Sequence, residues 1–314
     1  MRVVVVGGAN VDIKLRAAGA IRLGTSNPGS THTSLGGVAR NVAENLALLG
    51  ARVQLMTVVG DDEFGRRIIE RAAALAIETD LICVGVQPTG TYAALLDSRG
   101  RMVAAVSSMA AIDALTSTSI EAARGAIAAA DAVVCDCNLS AAAILRLGQL
   151  AAEANVNLFV DAVSAPKVLR IRRLLDSLSP PAGLFLNRDE LEALTALPTR
   201  GRRQLASAAA RLHARGVRNV AASLGARGVF VSMDGQPPEQ TVLPAMAETV
   251  VDVTGAGDAA VAATVWAFGA GNSFVEAART GQAAAALTVA SGDTVDPCLD
   301  GEAIARVLAA RSVR

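Results

Sequence analysis

The sequence predicts an α/β domain built on a mostly parallel central sheet, and three observations predict it. Val3 to Val6 is an unbroken β-branched run ending at Gly7-Gly8, the form taken by a strand covered on both faces. Similar short apolar runs recur at 53–59, 132–135, 158–160, 183–186, 220–224 and 228–231. Between these runs lie stretches of helical pattern, and strands alternating with helices indicate a parallel sheet flanked by helices. In chain order the expected helices are 38–49, 62–76, 119–130, 140–154, 188–195, 202–215, 256–269 and 273–291.

Two segments break this rhythm. Residues 13–35 contain Gly19, Gly24, Pro28 and Gly29 and show little helical pattern, while 91–96 and 102–106 flank Asp97-Ser98-Arg99-Gly100 as the arms of a β-hairpin flank its turn. Either could be a surface excursion of no consequence. Together, 13–35 and roughly 87–107 suggest a small β-sheet projecting from the main domain where a lid would sit.

Composition excludes several classes. The 314 residues carry 29 basic and 29 acidic side chains, a formal net charge of zero, so no basic field marks a general nucleic-acid or membrane-surface binder. Only two of the basic residues are lysines, Lys14 and Lys167, and neither lies in a G-x-x-x-x-G-K-[ST] phosphate loop. The two histidines and four cysteines form no cluster at zinc spacing, and the cysteines read mainly as small buried apolar residues in a reducing compartment. The longest weakly polar run, 259–271, falls well short of the roughly 20 residues a membrane helix needs. With no signal-peptide pattern at the start, a soluble, cytoplasmic protein is expected.

The most informative stretch is 250–260, where Asp252-Val253-Thr254-Gly255-Ala256-Gly257-Asp258 leads into an alanine-rich helix. Glycines before a helix let the backbone approach a ligand, and the first-turn N–H groups make an anion site. Asp258 beside a bound phosphate could take a proton from an attacking hydroxyl. The plain alternative is a carboxylate favoured by the helix macrodipole.

Asn10-Val11-Asp12 after the first strand and Gly36-Gly37-Val38-Ala39-Arg40-Asn41 opening a helix form a second group. A short carboxylate at a strand end, a Gly-Gly turn and a first-turn amide can together hold vicinal sugar hydroxyls. Asn187-x-x-Glu190 could orient magnesium through water and phosphates, although as a bare motif it also reads as a helix cap.

These motifs, with Ser223-Leu224-Gly225-x-x-Gly228, occur in the order found in the ribokinase-like (PfkB) carbohydrate and nucleoside kinases, which the chain resembles nearly end to end. Within that family the resemblance is strongest to the kinases of the nucleoside pseudouridine. It is carried by Ser26-Asn27-Pro28-Gly29, by 41–50, by Cys135-Asp136-Cys137-Asn138-Leu139-Ser140 and by 160–167.

The resemblance implies one ribokinase-like three-layer α/β/α domain over 1–314 with a small β-sheet lid. It implies transfer of phosphate from ATP to the 5′-hydroxyl of pseudouridine. Asp258 would be the base, and Gly255, Ala256 and Gly257 the anion hole. Asn10, Asp12, Gly36, Gly37 and Asn41 would hold the ribose, with Ser26, Asn27, Asn138 and Lys167 as candidates for the base of the nucleoside. Asn187, Ser223, Gly225 and Gly228 would serve the nucleotide. Asn187 and Glu190 would serve magnesium through water, and Asp252 and Thr254 a monovalent cation, potassium.

Two departures bear on the adenine pocket: Ala162 follows the strand Asp161 where the family commonly has proline, and Gln282 stands where it often has Asn or His. A homodimer through the lid is expected, with no nucleic-acid or membrane partner. The readings left beside this one are a kinase for another nucleoside or for ribose or fructose, and a non-catalytic nucleoside or nucleotide sensor. A dinucleotide oxidoreductase is disfavoured because Gly7-Gly8-Ala9-Asn10 is not G-x-G-x-x-G.

Overall fold

The computed structural model describes residues 1–312. Among them, nine strands form one sheet and four another. The large sheet contains β1 (Arg2–Val6), β4 (Arg52–Gly60), β5 (Ile82–Gly85), β8 (Ala132–Asp136), β9 (Asn157–Asp161), β10 (Gly183–Asn187), β11 (Asn219–Ser223), β12 (Val229–Met233) and β13 (Glu239–Leu243), in the order β13-β12-β11-β10-β9-β8-β1-β4-β5. The pairs from β5 through β11 are parallel, and β12 and β13 add antiparallel at one end. The small sheet, ordered β3-β2-β6-β7, consists of β2 (Asn10–Ala17), β3 (Gly29–Gly36), β6 (Gly90–Leu96) and β7 (Met102–Ser108).

Alternation along β1 shows why its sequence is uniformly apolar. Val4 and Val6 enter one core with Ile144, Leu147 and Leu184, while Val3 and Val5 enter the opposite one with Val42, Leu46 and Val265. Helix α1 (Val38–Leu48) covers that second face with α10 (Ala256–Gly269) and α11 (Phe274–Ser291). There Phe159, Phe185, Phe268 and Phe274 meet in tilted and edge-on pairs 5.6–6.3 Å apart. The first face is covered by α5 (Ala141–Glu153), α8 (Arg188–Thr195) and α9 (Arg202–His213). Helix α2 (Glu63–Ala74), capped by Asp62, adds Ala72 to the second core, and α12 (Gly301–Ser312) packs Ile304 against alanines of α10 and α11.

Three expectations need correction. The single helix expected at 119–130 is two short ones, α3 (Ser117–Ala122) and α4 (Arg124–Ala128). The expected strands omit β5, an apolar run of only four residues (Ile82-Cys83-Val84-Gly85), and β13, which opens on the polar Glu239-Gln240-Thr241; both are edge strands with exposed residues. Of the cysteines, only Cys135 and Cys137 are buried, while Cys83 and Cys298 are exposed. No helix among the described residues is long and apolar enough to cross a membrane.

Candidate active site

Four neighbouring strands of the large sheet end in a polar residue: β8 in Asp136, β9 in Asp161, β10 in Asn187 and β11 in Ser223. Ligands of open parallel sheets bind at this edge, outside the carboxyl ends of the strands. Asp136 ties it together. One of its oxygens accepts from Gly8 N (2.8 Å) and Ala39 N (3.0 Å), and the other from Asn138 N (2.8 Å). One buried carboxylate thus fixes the turn after β1, the start of α1 and the loop after β8. Burial raises its pKa against these three donors. Sequence reasoning did not single Asp136 out; the available signal was a carboxylate ending an otherwise apolar strand.

Asp12 does not stand at the end of β1 as expected. It is the third residue of β2, opposite Ser34. Its carboxyl accepts from Asn10 Nδ2 at 2.7 Å and lies so close to Gly36 that a Cβ there would come within 2.3 Å of it. Burial raises the Asp12 pKa, while Asn10, Arg40 and Lys14 oppose the rise.

Gly37 caps α1, and Asn41, on the first turn, donates from Nδ2 to Asp258 Oδ2 at 2.6 Å. Arg40, another residue the sequence did not reveal, explains that orientation. Its buried guanidinium donates to Gly36 O (3.0 Å), Leu35 O (2.9 Å) and Asn41 Oδ1, and pairs with Glu44, which also pairs with Arg71. With the amide oxygen engaged by Arg40, the amide nitrogen is left to face Asp258.

Asp258 lies on the first turn of α10, capped by Gly255 at φ 82°. A Cβ on Gly255 would sit 1.8 Å from Thr294 O, so both the left-handed backbone and the close approach require glycine. The first-turn N–H groups of a helix have no intrahelical acceptor and so remain directed at a ligand. Burial of the carboxyl pushes the Asp258 pKa up from 3.8 to about 7. Asn41 and Arg40 resist the rise, and the Asp136 and Asp12 charges add to it.

On the side of β8 and β9, Lys167 in α6 (Ala165–Val168) donates to Asn138 Oδ1 at 2.6 Å. Burial lowers the Lys167 pKa. Arg170 Nη1 holds the loop by donating to the carbonyls of Cys137 (3.1 Å), Asn138 (2.7 Å) and Leu139 (3.2 Å). Ser140 caps α5, its side chain accepting from Ala143 N at 3.2 Å.

The structure does not bring Ser26 and Asn27 to this site. They are exposed in the connection beyond the Ala17–Gly29 pair, at the opposite end of the β2–β3 ladder from Asn10 and Gly36. The Asn27 side chain closes its own loop through Arg22 N, Arg22 O and Thr25 O.

Asn187 and Glu190 form a complete capping box: Glu190 accepts from Asn187 N (2.7 Å) and Nδ2 (2.6 Å), and Asn187 Oδ1 accepts from Glu190 N (2.9 Å). Both still line a cavity of about 230 Å³ with Asp161, Ser223, Gly257, Asp258 and Gln282. Burial, reinforced by the nearby Asp258, Glu190 and Asp136 charges, holds Asp161 well above the usual carboxylate range. A second cavity of about 440 Å³, lined by Gly225, Gly228, Met246, Val253 and Val289, shares Ser223, Gly257 and Gln282 with the first. An apolar chamber thus opens beside a carboxylate-rich one, with the start of α10 between them.

Comparison with known proteins bears directly on this arrangement. The model of the pfkB family carbohydrate kinases matches residues 1–300. The chain belongs to this family. The pseudouridine kinase of Escherichia coli (strain K12) is 33% identical over 299 residues, covering 95% of this chain and 93% of that one. A carbohydrate kinase from Agrobacterium tumefaciens superimposes with a TM-score of 0.84 at 30% identity, covering 98% and 97% of the two chains. Arabidopsis thaliana ribokinase, solved with ribose and ATP, gives 0.82 at 27% identity, covering 98% of each. This pfkB kinase therefore has the ribokinase-like α/β fold and is a phosphotransferase acting on an alcohol group of a sugar or nucleoside.

Proposed function

We propose that this kinase transfers the γ-phosphoryl group of ATP to the 5′-hydroxyl of pseudouridine. The observation that carries the substrate is the Lys167–Asn138 pair on the Asp136 loop. It sets a lysine and an amide against the Gly8 turn, two residues before Asn10, where a Cβ on Gly8 would lie 2.8 Å from Asn138 Nδ2. Pseudouridine presents one more ring N–H than uridine, and a polar pair of fixed geometry discriminates such a group far better than an apolar wall does. The likeness to the Escherichia coli enzyme supports the same reading.

In the reaction, Asn10, Asp12 and Asn41 hold the ribose, and Asp258 takes the proton of the 5′-hydroxyl as its oxygen attacks the γ-phosphorus. The bond to the bridging oxygen breaks, and ADP leaves. The N–H groups at Gly255, Ala256 and Gly257 face the charge on the transferred group. The adenine ring occupies the apolar chamber lined by Gly225 and Gly228, with Gln282 at its edge.

The donor set fits magnesium: an oxygen-rich wall of Glu190, Asn187 and Asp161 suits a hard cation that retains water and is carried by phosphates. Since Asn187 engages both Glu190 oxygens, that contact runs through water. When bound, magnesium neutralises the triphosphate and orients it.

The test is turnover of pseudouridine, uridine, inosine, ribose and fructose with ATP. Pseudouridine should have the highest kcat/KM, and Lys167→Met should raise its KM at least about tenfold while leaving KM for ATP unchanged. Brisk turnover of a free sugar with none of pseudouridine overturns the substrate and leaves the family intact.

The small sheet acts in this reading as a lid, and its edge strand β7 exposes Met102, Val103 and Val106. A second copy of the chain covers it, because an unpaired apolar strand edge is a pairing surface. Light scattering should give a dimer, and Val103→Lys with Val106→Lys a monomer. A wild-type monomer at micromolar concentration removes the proposal.

A further inference from the structure

The resemblance to ribokinase-like kinases assigns Asp252 and Thr254 to a monovalent cation, and the structure fills that role differently. Asp252 Oδ2 lies 2.6 Å from Lys14 Nζ. Its Oδ1 accepts from Thr254 N (2.9 Å) and Thr254 Oγ1 (2.7 Å), and Lys14 also reaches Thr254 Oγ1 at 3.5 Å. Both carboxylate oxygens are engaged, one by a full positive charge and the other by the loop's own donors. A metal ion on these oxygens would have to displace an ammonium tethered to the chain. The side chains present therefore do not fit potassium.

The placement of Lys14 gives this substitution its purpose. Lys14 stands two residues after Asp12 on β2, hence on the same face of the small sheet. The loop it meets is otherwise lightly held: Val250, Val251 and Val253 are exposed, and the backbone bonds of Val251 N and Asp252 N both go to Val289 O. Three residues beyond Asp252 the chain enters the Gly255 turn that aims the first-turn N–H groups of α10. A cation at Asp252 and Thr254 thus fixes the approach to the anion hole.

The residue type is also informative. Arginine outnumbers lysine 27 to 2 in this chain, yet lysine stands here. A compact ammonium with three rotatable donors resembles a spherical ion, whereas a planar guanidinium fork does not.

We propose that Lys14 is the resident cation of the anion-hole loop, and that catalysis by this chain is consequently independent of potassium. It is a positioning residue, acting through Asp252 and Thr254 on the backbone of Gly255–Gly257. The proposal rests on the kinase reading, but part of its test needs no substrate.

Melting temperatures are measured for the wild type and Lys14→Met in potassium, sodium and choline chloride at matched ionic strength. kcat is measured in the same salts with whichever acceptor the substrate panel identifies. The wild type should melt and turn over alike in all three salts. Lys14→Met should lose about tenfold or more of kcat in choline, recover in potassium, and melt higher in potassium than in choline. Lys14→Arg, which keeps the charge, should stay indifferent to the salt.

Strong potassium activation of the wild type, or a potassium-specific rise in its melting temperature, overturns the proposal. So does a folded Lys14→Met that potassium neither revives nor stabilises. Should Lys14→Met fail to fold, the wild-type comparison decides alone. A failure of the kinase reading shows as no phosphoryl transfer to any acceptor, whereas the melting comparison still reports on Lys14.

Discussion

Asp258→Asn should lose at least about three orders of magnitude in kcat while its affinity for ATP stays near that of the wild type. The amide preserves the shape of the first turn of α10 and the contact with Asn41, and removes only the group able to accept the substrate proton. The pH profile carries the same assignment. The carboxyl acts in its ionised form and burial holds its pKa at about 7, so kcat/KM should climb with unit slope up to about pH 7 and level off above it.

Stability runs the other way. The folded state keeps this proton to about pH 7, the unfolded chain only to 3.8, so the residue's contribution is greatest in acid and is lost as pH rises through the folded value. Asp258→Asn should therefore melt above the wild type at pH 8, and by a smaller margin at pH 5. Retained activity in this variant, or a profile flat from pH 5 to 8, would remove the base from the mechanism.

The second large effect is expected at Asp136, which touches neither reacting atom. Asp136→Ala strands three backbone N–H groups, at Gly8, Ala39 and Asn138, where little water can replace the carboxylate. Lost charge-assisted hydrogen bonds and unsatisfied buried donors together cost on the order of 3–5 kcal/mol. In the proposed function those donors belong to the loops that carry the sugar and base contacts. KM for the nucleoside should rise more than about tenfold, and KM for ATP should barely move. Asp136→Asn, which keeps an acceptor oxygen, should fall between the two. An alanine variant with unchanged melting temperature and unchanged nucleoside KM would contradict the tethering role.

The sequence announces the layers of this fold because buried parallel strands must be apolar throughout, as Val3–Val6 are, and because the helices between them show their own periodicity. It hides β13 because an edge strand exposed to water can be largely polar, and β5 because four apolar residues, Ile82-Cys83-Val84-Gly85, are too short a run to stand out. The glycines and acids of 252–258 are legible as a site because few other structures need Gly-x-Gly-Asp at a helix start.

The supporting residues are not legible in that way. Asp136, Arg40 and Lys14 act through partners up to 238 positions away, and nothing local distinguishes Lys14 from any solvated lysine until the Asp252 loop comes to lie against it. Ser26 and Asn27 show the converse: a motif can match while the folded chain holds it at the far end of a hairpin.

The composition of α10 and α11 has a mechanical meaning. The chain contains 65 alanines, and several of them, including Ala259, Ala263, Ala283 and Ala284, are sealed where these two helices meet. Gly281 lies so close to the other helix that a methyl group there would meet Ala260 O at 2.6 Å. Large side chains can swap rotamers and let helices slide past one another, but methyl groups against backbone leave no such slack. The helix that presents Asp258 is seated like a keyed shaft, with its axial position set by the backbone of its neighbour. An enzyme that must meet a phosphorus atom to within a few tenths of an ångström thereby obtains its tolerance from its smallest residues.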